Sequence, residues 1–261
     1  MSRLDTDKGA VVIAMDHART LGAVEGLENP GAVIDQMIEA GADGIMTNYG
    51  VIKHYRRELL GKVPTFLRLD AGPTVWRQDW LRYDEWACHF DVDDARDLGV
   101  DGVCLMAFMG SKVEVATFDN VARAVAMARR HRLPVMVEAL PCPTERIPDT
   151  LDSGMMASAS RIAFELGADI VKTYYTGSPD SFRKVVEVCP VPVLIAGGVK
   201  MDTPRAVLEV VRGAKDAGGK GVVFGRNIWQ APDPAGMVRA LRAIVHADAS
   251  VDEAMGIGLA A

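Results

Sequence analysis

Several things are absent from this chain of 261 residues, and each absence narrows what it can be. Cys88, Cys104, Cys142 and Cys189 form no CxxC pair, and a chain this long needs no disulfide staples, so buried free thiols in a reducing compartment are expected. The five histidines, 17, 54, 89, 131 and 246, show no HxH or HxxxH spacing, which argues against a histidine metal site. There is no GxGxxG and no GxxxxGK[ST], so no nucleotide site is indicated. No apolar run approaches a membrane span and the first ten residues hold no apolar signal core; a cytoplasmic protein is expected, with no membrane partner. Lys and Arg number 29 against 35 Asp and Glu, and the net charge of −6 argues against nucleic acid as a partner. A small anionic substrate stays open, because a pocket can be locally positive on an acidic protein. Aromatics make up only 6%, yet Trp76, Trp80 and Trp86, three of the four tryptophans, crowd into 71–90 together with Tyr83. No Gly/Ser/Pro tract or charge block divides the chain, so 1–261 reads as one domain, with an aromatic-rich insertion at 71–90 and a short C-terminal tail.

What is present is alternation. Short, nearly continuous apolar runs occur at 11–16, 44–48, 65–70, 102–108, 135–140, 170–176, 193–198 and 221–225, as expected of parallel strands covered on both faces. Between them, 31–39, 118–130, 153–166, 179–188, 203–214 and 234–245 have helical period, and Asn29-Pro30 is a helix start with Pro at the first position. Gly41, Gly99, Gly167 and Gly218 follow helix ends, where the left-handed conformation costs glycine least. Strand and helix repeated eight times predict a single (β/α)8 TIM barrel; a doubly wound open sheet is the alternative. In the insertion, the tryptophans either form a lid over a site or lie on a helix that packs on the barrel or on a neighbouring subunit.

Barrel chemistry gathers at the C-terminal ends of the strands. The polar residues there are Asp16 and His17, Thr47 and Asn48, Arg68 and Asp70, Glu138, Lys172, and the glycine-flanked ends Gly197-Gly198 and Gly225-Arg226-Asn227. Lys172 interrupts an apolar strand. Burial disfavours an ammonium and favours a neutral nucleophile, although a lysine paired with a carboxylate across the barrel fits the position equally well. Period 2 points Tyr174 and Thr176 the same way as Lys172. Gly197, Gly198, Gly225 and Arg226 suit a phosphate, since backbone can approach closely and a guanidinium can grip it with two parallel hydrogen bonds. Asp16, Glu138 and Asp70 are carboxylates available for proton transfer, and His17 could shuttle protons, bind phosphate or cap the loop.

The motifs Asp16-His17, 167–175, 192–198 and 225–230 together resemble the class I aldolases of the DeoC/FbaB type, among them the archaeal-type fructose-bisphosphate aldolases and a phospho-autoinducer aldolase/thiolase. The resemblance implies a metal-independent TIM-barrel lyase in which Lys172 forms a Schiff base with a phosphorylated carbonyl substrate and Asp16 lies beside the reacting carbons. It also implies that Gly197, Gly198, Gly225 and Arg226 hold the phosphate, that no cofactor is required, and that the chain forms a homo-oligomer, up to a decamer. Two positions depart from the family. Where the fructose-bisphosphate enzymes carry a proton-donating tyrosine before proline, this chain has Leu140-Pro141, with Glu138 two residues earlier. Thr47-Asn48-Tyr49-Gly50 lacks the basic residue common in relatives. A mono-phosphorylated substrate fits better than a bisphosphate, with Glu138, Tyr174 or a water held by Asp16 moving the proton. The rival readings are acyl transfer from a phosphorylated dione to coenzyme A, and a non-catalytic phospho-sugar-binding regulator.

Overall fold

The structure, a computed structural model, describes residues 4–80 and 83–259. The expected insertion is covered except for 81 and 82, which lie outside the described residues, as do 1–3 and 260–261 at the ends of the expected domain. Eight strands form the barrel: β1 (Ala10–Ala14), β2 (Gly44–Thr47), β3 (Thr65–Arg68), β4 (Gly102–Met109), β5 (Val135–Pro141), β6 (Ile170–Tyr174), β7 (Val193–Ala196) and β8 (Gly221–Phe224). Each pairs in parallel with its neighbours, and β1 closes on β8. Closure leaves no sheet edge to protect. The open doubly wound sheet is excluded.

The helices between strands start where the caps say they should. Pro30, Pro179, Pro204 and Pro234 each sit in a first turn, behind Asn29, Ser178, Thr203 and Asp233, whose side chains accept from the orphan backbone amides. Gly41, Gly99, Gly167 and Gly218 all take positive φ just past helix ends, as the sequence predicts. Among the short helices that the sequence reading did not name are Val92–Leu98 and Val251–Gly258, each opened by a capping box, Asp91 with Asp94 and Ser250 with Glu253. The expected C-terminal tail is therefore a helix. It packs so closely on Pro234–Ala247 that neither Gly236 nor Gly258 has room for a Cβ.

The described residues of 71–90 hold no helix. The segment is irregular and is pinned at its ends by a two-residue antiparallel ribbon, Asp70–Ala71 against Ala87–Cys88. Trp76 is 89% exposed and does not pack on the barrel, whereas Trp86 does, edge-on against Phe108. Cys88 is exposed, against the expectation of four buried thiols; Cys104, Cys142 and Cys189 are buried and free.

Strand side chains alternate, so every second residue faces the barrel axis. Leu4, Ala10, Val12, Ala14, Met46, Phe66, Cys104, Met136, Ile170, Leu194 and Val223 form an apolar plug there, separate from the larger core between sheet and helices. Continuing each row by two residues turns Phe66 into Arg68, Met136 into Glu138 and Ile170 into Lys172. The plug is a floor, and a charged layer lies on it. Among the described residues, no helix is long and apolar enough to cross a membrane.

Candidate active site

The charged layer opens into a cavity of about 300 Å³ at the C-terminal mouth of the barrel. Lys172 sits on β6 and is 5% exposed; its Nζ lies 2.8 Å from Glu138 Oε2, the residue directly beside it on β5. Both readings of this lysine thus meet in one geometry. It is buried and paired, and its partner is also a group able to take the proton that an attacking amine must lose.

Arg68, which carried no assigned role in the sequence, is the hub. From β3 its Nε donates to Asp16 Oδ2 at 2.9 Å, one Nη donates to Glu138 Oε2, and the other lies 3.6 Å from Asp70 Oδ1. Arg68 carries the same signal as Lys172, a cation inside an apolar strand, and could have been singled out on that ground. A guanidinium suits the place because it stays charged when buried and presents several donors in a rigid fork. Two cations and three carboxylates are therefore interlocked at the bottom of the cavity.

The three carboxylates differ in proton affinity for identifiable reasons. Burial opposes the charge of Asp16, but Arg68, with His17 and Lys172 nearby, overcomes it and holds the carboxyl well below the usual range. For Glu138 burial again pushes up, and Lys172 and Arg68 pull it below its ordinary value. For Asp70 burial wins. Its carboxyl is pushed up to about 6 despite Arg68 and two donors, the Met106 amide at 2.7 Å and the Trp86 indole N–H at 2.8 Å. Burial also raises the Tyr174 phenol, with Glu138 adding to the effect.

Asp16, His17, Glu138, Lys172, Tyr174 and Arg226 all line this one cavity. His17 packs edge-on against Trp229, with Nδ1 3.4 Å from Asp16 Oδ1. Gly197, Gly198 and Gly225 lie next to Arg226 at the ends of β7 and β8. The Arg226 Nη2 donates to the Gly198 carbonyl at 2.8 Å, while its Nε is buried with no hydrogen-bond partner among the described residues. Asn227 closes the turn by donating to the carbonyls of Gly197 and Val199. Gly225 is required for another reason: a Cβ there would collide with the His17 ring. The glycines thus hold Arg226 and His17 in place. The remaining lining residues include Arg19, Asn48, Trp80, Tyr83, Trp86, Phe108 and Leu140. Among the described residues, no group of three or more His, Cys, Asp or Glu side chains is arranged to hold a metal ion.

The sequence model of DeoC/LacD family aldolases matches residues 10–231. An uncharacterized aldolase of Saccharolobus solfataricus is 33% identical over 259 residues, covering 96% of this chain and 95% of its own. The 2-amino-3,7-dideoxy-D-threo-hept-6-ulosonate synthase of Halobacterium salinarum is 34% identical over 257 residues, 98% of this chain and 93% of its own. An archaeal fructose-1,6-bisphosphate aldolase, solved with its catalytic lysine covalently bound to the carbinolamine intermediate of its substrate, superposes with a TM-score of 0.82. It is 31% identical and covers 92% of this chain and 99% of that one.

Proposed function

The chain belongs to the DeoC/LacD family of aldolases, and we propose that it works as a class I enzyme whose Schiff-base lysine is Lys172. The observation that carries this reading is the 2.8 Å contact between Lys172 and Glu138 on the floor of the cavity. The amine passes its proton to Glu138 and attacks the substrate ketone. Glu138 returns that proton to the departing hydroxyl as the carbinolamine loses water to give an iminium, which leaves the carboxylate ionised again. The carbon–carbon bond then breaks, its electron pair flows into the iminium, and the β-hydroxyl proton must leave. Glu138 is suited to take it. The positive charge at Lys172 is what lowers its proton affinity, and that charge vanishes as iminium becomes enamine, so the carboxylate turns more basic during the step that requires a base. Asp16, held ionised by Arg68, is a fixed acceptor that orients the hydroxyl. Protonation and hydrolysis of the enamine free the second product and the lysine. Covalent lysine chemistry of this kind calls for no cofactor.

A single phosphate on the substrate fits the charges available. Arg19 donates to the Gly72 carbonyl at 2.7 Å and contacts His89, and Arg68 is engaged by three carboxylates. Arg226, which lines the cavity and whose Nε has no hydrogen-bond partner among the described residues, is the natural holder of one phosphate. Neighbouring strands are about 4.8 Å apart, so β8 is about 10 Å from β6, a span that a three-carbon keto phosphate can bridge between Lys172 and Arg226, which line the same cavity. Borohydride trapping with dihydroxyacetone phosphate tests the assignment. A reduced adduct on the Lys172 peptide is expected; an adduct on another residue, or full turnover by Lys172→Met, would refute it.

A further inference from the structure

We infer that the half of the substrate remote from the phosphate is an apolar, ring-sized or branched aldehyde. This inference rests on the Schiff-base reading above and concerns the wall of the cavity directly across the barrel from Arg226. In the closed order of strands, β4 stands four places from β8. Over the ends of β4 and β5, Met106, Phe108, Val113, Leu140 and Cys142 form a cluster of their own, and Tyr83, Trp86 and Tyr174 pack against it.

Three observations make this wall a surface built for a ligand. Phe108 is clasped by Tyr83, centroids 4.6 Å apart, and by Trp86 at 4.7 Å in an edge-on contact. Trp86 cannot swing away, because its indole N–H is bonded to buried Asp70 and no room exists between its ring and Gly72. Tyr83 is held at a φ of +53°, a left-handed conformation unfavourable for an aromatic residue, and that backbone presents its ring to the cavity. The cations on this side are already engaged, with Arg19 tied to the 71–90 segment and Arg68 held by carboxylates. Asp70 Oδ2 accepts from Trp86 and Met106, which leaves the Tyr83 and Tyr174 phenols as the polar tips of a ring-lined surface. A phosphate here would meet no uncommitted cation, and a polyol would exchange its water for two phenols at most; an apolar aldehyde would displace water from rings already in place.

In the condensing direction, the donor enamine attacks the aldehyde carbon and its electron pair becomes the new carbon–carbon bond. The aldehyde oxygen takes the proton from Glu138, and water hydrolyses the resulting iminium to free Lys172. The test pairs dihydroxyacetone phosphate with a panel of aldehydes, comparing phenylacetaldehyde and isovaleraldehyde with glyceraldehyde 3-phosphate, and records the borohydride adduct in parallel. The expected kcat/KM is about tenfold or more higher for the apolar aldehydes. Tyr83→Asn, which keeps a residue tolerant of positive φ but removes the ring, should lower their kcat/KM about tenfold and leave the donor adduct unchanged. If the adduct forms but glyceraldehyde 3-phosphate is preferred, or no aldehyde condenses, the apolar inference falls and the lysine assignment stands. Without an adduct, the lysine assignment falls and takes this inference with it.

Discussion

The floor and the upper layer of the barrel are built on the same strands, two residues apart, and hold together by different physics. The floor, from Ala10 through Phe66 to Val223, is apolar, and each side chain contributes through the water it no longer meets. The layer above holds Arg68, Lys172, Asp16, Glu138 and Asp70, all largely buried, where each charge is tolerable only while its partners are present. A damaged floor should cost stability and spare chemistry; a damaged layer should cost both. The comparison also explains why the carboxylates differ, since Asp16 and Glu138 lie against the cations while Asp70 lies at the edge, where burial outweighs Arg68.

The sharpest break in the layer is Lys172→Met, expected to lower turnover by about 10⁴-fold or more in an aldol cleavage assay. Its effect on unfolding should be smaller than that of losing Arg68, because Glu138 keeps the guanidinium. Arg68→Ala removes the cation shared by three buried carboxylates and should lower unfolding free energy by about 4 kcal/mol in a denaturant titration, with activity falling as well. Phe66→Ala, one step down the same strand, should cost about 3 kcal/mol through lost transfer energy and a cavity, while turnover per folded molecule is preserved. If Phe66→Ala abolished activity with the fold intact, the division between floor and layer would be wrong.

Asp70→Asn gives the smallest effect and the one with a definite sign. Its carboxyl binds a proton more tightly folded, near pH 6, than unfolded, near 3.9, so its contribution to stability is complete below about pH 4 and is lost as pH rises through 6. Relative to the Asn variant, wild type should therefore gain about 2 kcal/mol as pH falls from about 7.5 to about 4.5, read from paired denaturation curves. A constant difference across that range would show that Asp70 does not titrate there.

The barrel was legible because its signals are local: apolar runs, Pro-led caps and glycine stops each act within a few residues. Lys172, Asp16, His17, Glu138, Tyr174 and Arg226 were legible for a related reason, since strand ends in a barrel converge whatever the loops do. The role of Arg68 was not, because its meaning is a set of contacts to β1 and β5 that no spacing along the chain encodes. The 71–90 segment was legible in part. Of its two readings the helix fails among the described residues, while Trp80, Tyr83 and Trp86 line the cavity as an aromatic loop over the site would. That Trp86 answers to Asp70, Tyr83 to Phe108 and Trp76 to solvent is written in no local spacing. The glycines after β7 and β8 stand out in the sequence, and the structure places them next to Arg226 and His17, where they support both side chains.

The central claim is that Lys172 forms an imine with its substrate; imine formation expels the carbonyl oxygen of a ketone as water, and hydrolysis of the imine returns an oxygen from solvent. Dihydroxyacetone phosphate incubated in ¹⁸O-water should lose its carbonyl ¹⁶O rapidly with the wild-type protein and only at the uncatalysed rate with Lys172→Met. Exchange by Lys172→Met at the wild-type rate would contradict the claim.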